Sequence, residues 1–246
     1  MKLTTLPEIL CRPRAHFDQW WLQHGAHWWW NWRAPWVPTK EGRQRMYFDD
    51  DTYCRHQASK FRWHRRGLAQ VYHKRLASYT ARFRTWAVPG QSVLCLGARD
   101  GMEVEAFRAL GCFAWGIDLA HPSDSPYVTT GDMHCLDRHF PPACVEVVYT
   151  NSLDHAYELW RVAFQVKQLL KPGGVWWVDA HTHGQAGGAY ESQDWPSVTV
   201  LQDRIREHGW ALAASESFED GMTSMRWVSC VEPRPISCPN ANHFEK

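Results

Sequence analysis

From Ser92 onward the sequence alternates short apolar runs with helically spaced stretches, and this alternation restricts the fold more than any other feature of the chain. Runs apolar on both faces fit strands covered above and below, and the helical stretches between them supply the crossovers that parallel strands need. The candidate strands are Ser92–Leu96, 113–117, Val145–Thr150 and 175–180. Helices are expected at 102–110 and 156–170, the second closed by Lys171-Pro172-Gly173-Gly174. A further helix at 198–208 leads into two late strands, 211–218 and 225–231. The expected fold class is α/β, a mostly parallel sheet with helices on both faces.

The segment before Ser92 is different in kind. Seven of the sixteen tryptophans fall between Trp20 and Trp36, after which Pro35 and Pro38 end any helix and the polar stretch 39–51 reads as a connection. Between Thr52 and Trp86 the apolar spacing is helical, giving one or two helices with Gly67 as a break point. The expected division is a mainly helical extension over 1–90 and a main domain over 91–246. Residues 1–99 carry a charge of +11 and residues 100–246 carry −10, and no acidic residue occurs from Thr52 to Arg99. Such a block faces phosphate, another anion or an acidic surface, which here includes the acidic half of the same chain. No run is long and apolar enough for a membrane span, and eight scattered cysteines without a CxxC pair read as free thiols. A cytoplasmic protein with no membrane partner is the expectation.

The chemistry concentrates in VLCLGARDGMEVEAFRALG, where a strand runs directly into a glycine-bearing turn and a helix start. Glycine lets a ligand approach the backbone, and the unpaired N–H groups of the helix start point toward it. Asp118, at the end of the next strand, follows Gly97 at the spacing with which an acid reaches the ribose hydroxyls of an adenosine-type ligand.

From about Ser92 to Val231 these elements resemble the class I S-adenosylmethionine-dependent methyltransferases. The resemblance implies a Rossmann-like, seven-stranded sheet closed by an antiparallel hairpin, and S-adenosyl-L-methionine as cofactor with S-adenosyl-L-homocysteine as product. Gly97, Ala98, Arg99 and Gly101 match the first motif, Asp118 and Leu119 the acid after the second strand, and Gly131-Asp132-Met133 the adenine-contacting segment. Asp132 would then meet the adenine amino group, with Met133 beside the ring, and Asn151 would line the cofactor site. Two positions depart from the family pattern. Cys95 stands where an acid is usual and Arg99 where the middle glycine is usual, so cofactor binding requires Asp100, Glu103 or Asp154 to replace the lost acid. Arg99 is a candidate partner for the cofactor carboxylate.

Hydroxyl acceptors lose a proton during methyl transfer, so a base helps. His155 is the first candidate, in Asn151-Ser152-Leu153-Asp154-His155 after the fourth strand, with Asp154 beside it. His181 and His183, after the fifth strand, and Tyr157 are candidate acceptor-binding residues. The two histidines lack a spaced partner set, so no metal site is expected. The tryptophan-rich segment is expected to form a lid, or to bury itself against the domain or in a homodimer. The leading expectation is methyl transfer to a hydroxyl or amine of a small-molecule or glycan-type acceptor, with a bacterial surface-glycan or secondary-metabolite setting as the lean. The alternatives are an RNA modifier using the basic half to hold nucleic acid, and an inactive methyltransferase-like binding protein.

Overall fold

The computed structural model describes residues 20, 25–120, 125–181, 188–218 and 221–230, without the side chains of 61–71. Seven strands form one sheet: β3 (Ser92–Leu96), β4 (Phe113–Asp118), β5 (Val128–Thr130), β6 (Val145–Thr150), β7 (Leu170–His181), β9 (Trp210–Ser217) and β10 (Met222–Ser229). Their order is β5-β4-β3-β6-β7-β10-β9, parallel from β5 to β7, with β10 antiparallel to both of its neighbours. The parallel, helix-covered sheet and its closing hairpin therefore match the expectation.

Because alternate strand residues face opposite ways, each strand feeds two cores. Leu94, Leu96, Val148 and Trp176 pack with α4 (Leu159–Leu169) and α5 (Val198–Glu207) on one face. Val93, Cys95, Val147 and Trp177 face α3 (Met102–Ala109) and the end of α2 (Asp50–Phe83) on the other. Phe83 stacks on Phe107 there, with centroids 4.0 Å apart. The chain order reverses between β3 and β6, and the crevice at their carboxyl ends is where open sheets of this kind bind ligands.

Three boundaries differ from the sequence reading. The helix expected over 156–170 starts at Leu159, because Leu153–His155 forms a 3₁₀ turn and Ala156 is extended. Lys171 to Gly174 belong to a bulged start of β7, where the pairing with β6 shifts register. The helical region after Thr52 is one unbroken helix of 34 residues, about 50 Å long at 1.5 Å per residue, and Gly67 does not interrupt it. Asp49 caps it, accepting from the Thr52 backbone N–H at 2.7 Å.

The stretch read as a connection is instead a hairpin of β1 (Trp36–Thr39) and β2 (Gly42–Arg45), joined by β8 (Gln193–Asp194) into a small second sheet. Pro38 is tolerated because β1 is an edge strand. Gly42 is required, since a Cβ there would lie 2.2 Å from the Asp194 carbonyl oxygen and its φ is +140°. This long-range pairing has no local signal, so a polar stretch hides it. The short α1 (Ala26–Arg33) precedes the hairpin and ends before Pro35 as expected. Its Trp30 is buried and donates to Ser59 Oγ at 3.1 Å, whereas Trp28 and Trp32 are exposed.

Arg45 ties these parts together. Its fully buried guanidinium donates to the carbonyls of Ala34 (2.7 Å), Trp30 (3.2 Å), Glu191 (2.8 Å), Gly188 (3.3 Å) and Ala189 (3.3 Å). Burial drives its pKa down to about 10, with Arg43 adding to the effect while Tyr47 and Glu191 oppose it. The basic extension and the acidic domain also meet directly, through Arg43 with Asp194 and Arg82 with Asp179. The six cysteines among the described residues are free thiols, and no described helix is long and apolar enough to cross a membrane. Replacing Arg45 by Met removes a donor from five carbonyls, of which Trp30 O keeps the Ala34 N–H and Ala189 O keeps His56 Nε2. Chemical denaturation of Arg45→Met is expected to show a loss of about 3 kcal/mol, with faster amide exchange confined first to 188–195.

Candidate active site

The turn after β3 is built for close approach. Gly97 has φ +70°, and a Cβ there would sit 2.7 Å from Cβ and Oγ of Ser152, in the loop after β6. Arg99 adopts φ +40°, the left-handed region that disfavours a side chain. Asp118 holds this turn: its Oδ2 accepts from the Arg99 backbone N–H at 2.9 Å and its Oδ1 from that of Ala120 at 2.8 Å. Each oxygen keeps a further lone pair for a ligand. A small cavity of about 50 Å³ lies between Asp118, Leu119, Met133 and Tyr53. A larger one of about 540 Å³ extends past Glu103, Asn151 and Asp154 toward His181 and Trp195. Gly97, Arg99, Ser152, Lys60 and His155 line both.

All three acids named as replacements for the one missing at Cys95, namely Asp100, Glu103 and Asp154, line the larger cavity. Cys95 itself is in the core, where burial raises its thiol pKa. Burial raises the carboxyl of Glu103 to about 7, and Asp100 pushes the same way. Asn151 Nδ2 donates to Glu103 Oε1 at 3.0 Å and to Tyr79 Oη at 2.8 Å. Asp100 Oδ2 is buried without a hydrogen-bond partner, and so is Oε2 of Glu191, which lines the same cavity.

His155 Nδ1 lies 3.0 Å from the carbonyl oxygen of Tyr190. A carbonyl only accepts, so Nδ1 carries the hydrogen and Nε2 presents a lone pair. That lone pair accepts from Lys60 Nζ at 2.8 Å. Burial lowers the pKa of His155, and Lys60 adds to the effect. Asp154 Oδ2 is 3.9 Å from Nε2, and the carbonyl of Asp154 accepts from Ser192 N.

Other residues singled out in the sequence sit differently. Asp132 lines neither cavity, because its Oδ1 accepts from the His134 backbone (2.9 Å) and ring (2.6 Å). Burial works against its ionised form, yet the His134 contacts outweigh it and the pKa is lowered. Tyr157 donates to Asp50 at 2.7 Å and packs on Tyr53, outside both cavities. Gly101 caps α3 at φ +80° and Ala98 is core. His181 lines the larger cavity, and His183 lies outside the described residues. Lys60, Glu191, Arg82 and Trp195 were not foreseen as part of the site. Lys60 is one base among many on α2, and no sequence signal separates it from the others.

Solved structures share this fold. The 1,6-didemethyltoxoflavin-N1-methyltransferase of Burkholderia thailandensis, determined with 1,6-didemethyltoxoflavin and S-adenosylhomocysteine, aligns over 78% of this chain and 97% of its own at 13% identity, TM-score 0.56. The glycopeptide N-methyltransferase MtfA, complexed with S-adenosyl-L-methionine, aligns over 62% of this chain and 86% of its own at 15% identity, TM-score 0.50. A protein of Pyrococcus horikoshii aligns over 65% and 92% at 16% identity, TM-score 0.54. No family model and no curated protein sequence matches the chain. The likeness is one of fold: the chain has the Rossmann-like α/β fold of class I methyltransferases.

Because Gly97 is both conformationally constrained and pressed against Ser152, Gly97→Ala is expected to lower stability by about 2–3 kcal/mol in denaturant titration. Arg99→Gly relieves its own backbone while freeing the unfolded chain, so it should stay within about 1 kcal/mol of the parent.

Proposed function

We propose that the protein transfers a methyl group from S-adenosyl-L-methionine to a hydroxyl or amine of a small-molecule or glycan-type acceptor. The observation that carries this reading is the unpartnered buried oxygen of Asp100 in the larger cavity beside the Gly97 turn, with Asp118 lining the smaller cavity that shares its wall. The cofactor carries an ammonium group on its amino-acid end and ribose hydroxyls between its sulfur and its adenine, which suit these two acceptors. Asp118 takes the ribose, and Met133 and Leu119 border the adenine side while Asp132 shapes it from behind through His134. Asp100 and Glu103 replace the acid lost at Cys95, and Arg99 meets the carboxylate.

When bound, the cofactor supplies a methyl carbon already activated by a positively charged sulfur. The chain's task is alignment and proton handling. His155, neutral and oriented by Tyr190, forms the proton-handling set with Asp154 and Lys60. His181 and Trp195, which line the larger cavity, border the acceptor side.

Calorimetric titration with S-adenosylmethionine and S-adenosylhomocysteine is the direct test, and no heat from either ends the proposal. Asp118→Ala should weaken S-adenosylhomocysteine binding at least about tenfold, or ~1.4 kcal/mol. His155→Ala should change that affinity by less than about threefold. In a labelled-methyl screen of hydroxyl- and amine-bearing small molecules and glycans, the same substitution should slow transfer, the pattern of a residue acting on the chemical step.

A further inference from the structure

We infer that Lys60 is the residue that finally accepts the acceptor's proton, and that it is held ready for this by the charge of the ligand docked beside it. The inference rests on the cofactor reading above. Its basis is position. Lys60 reaches in from α2 and lines both cavities, as do Gly97 and Ser152. A ligand that occupies both cavities borders it.

The direction of hydrogen bonding points the same way. Tyr190 fixes the hydrogen of His155 on Nδ1, so Nε2 is turned to Lys60 and already satisfied by it. A proton leaving the acceptor therefore ends on the lysine amine, directly or through His155.

Lys60 is also poorly supported as a cation. Among the described residues no carboxylate pairs with it, and its hydrogen bond is to a neutral ring. Arg99 faces it from the β3–α3 turn, and His56, one turn earlier on α2, is kept neutral by burial, its pKa near 3. Asp154 from the β6 loop, Glu191 from the 188–195 segment and Asp118 from β4 favour the charge from further off. Loss of hydration outweighs those three and, with Arg99, brings the pKa down to about 8. The amine is thus mostly protonated at pH 7 without ligand. A second positive charge in the same cavity disfavours that proton further, and Lys60 gives it up as the cationic ligand binds.

During transfer Lys60 takes the proton that the acceptor's O–H or N–H releases as its lone pair bonds to the methyl carbon. The electron pair of the broken carbon–sulfur bond remains on sulfur. The ammonium re-forms as the neighbouring positive charge disappears, so the cavity never holds both charges.

The test compares two ligands that differ by that charge. Below a pKa of about 8, binding the sulfonium requires expelling a proton, so its affinity should rise with pH and level off above 8. The neutral thioether has no such requirement. For the unaltered protein, the ratio of S-adenosylhomocysteine to S-adenosylmethionine affinity should fall roughly tenfold or more between pH 6.5 and 8.5. Lys60→Met should remove this pH dependence relative to the parent. Lys60→Arg, which cannot deprotonate, should bind S-adenosylhomocysteine normally, and should disfavour S-adenosylmethionine at both pH values. A pH-independent ratio in the parent, or a pH dependence that survives in Lys60→Met, overturns the inference and leaves the cofactor reading intact. If neither ligand binds the parent, both fall.

Discussion

The buried guanidinium of Arg45 is the contact on which the site's geometry depends. It gathers backbone carbonyls from two segments far apart in sequence, 30–34 and 188–191, and satisfies them with one rigid planar donor. Trp30 O also accepts from the Ala34 N–H at the end of α1 and Ala189 O from His56, but segment 188–191 has no regular ladder of its own, and leaving its remaining carbonyls buried without partners would be costly. Once the 188–191 backbone is fixed, its Tyr190 carbonyl accepts from both Gln57 and His155. That acceptor sets the tautomer of His155, and the tautomer aims Nε2 at Lys60. A structural hydrogen-bond cluster in the extension thereby decides where a proton can go in the crevice.

The long helix α2 has a double role for the same reason. Its last turns bury Tyr79 and Phe83 against α3 and β6, giving it a firm footing on the sheet. Its first turns bury Tyr53, His56 and Gln57 against the loops that carry His155 and Ser192. A helix anchored at both ends can hold a lysine over a crevice without an ion pair to steady it. The +11 and −10 halves of the chain are reconciled in part by this packing, since Arg43 and Arg82 spend their charge on Asp194 and Asp179. Asp179 is further bound by Tyr149 and Ser224, which leaves Arg82 a wall of the larger cavity rather than a free cation.

Much of the sheet was legible because its signals are local. Ser92–Leu96 and Val145–Thr150 are apolar on both faces, so burial on both faces follows, and the strands fall where expected. The Gly97 turn and Asp118 were readable too, since a strand, a glycine and a following acid are close in sequence. The hairpin Trp36–Arg45 was not readable, because its third partner is Gln193–Asp194 and its sequence is polar. The fate of Asp132 was equally hidden. Its neighbour His134 turns back onto its carboxylate, a choice made by Tyr53 and Tyr157 packing around the imidazole.

By itself, then, the sequence determined the alternation of strands and helices and the position of the glycine turn and the acid after β4. These are set by periodicity and short spacing, which depend on neighbours along the chain. Only the tertiary structure decided that Asp100, Glu103 and Asp154 converge on one cavity and that Lys60, 95 residues before His155, ends at its Nε2. Contacts of that separation are chosen by how whole faces pack, and no local pattern encodes them.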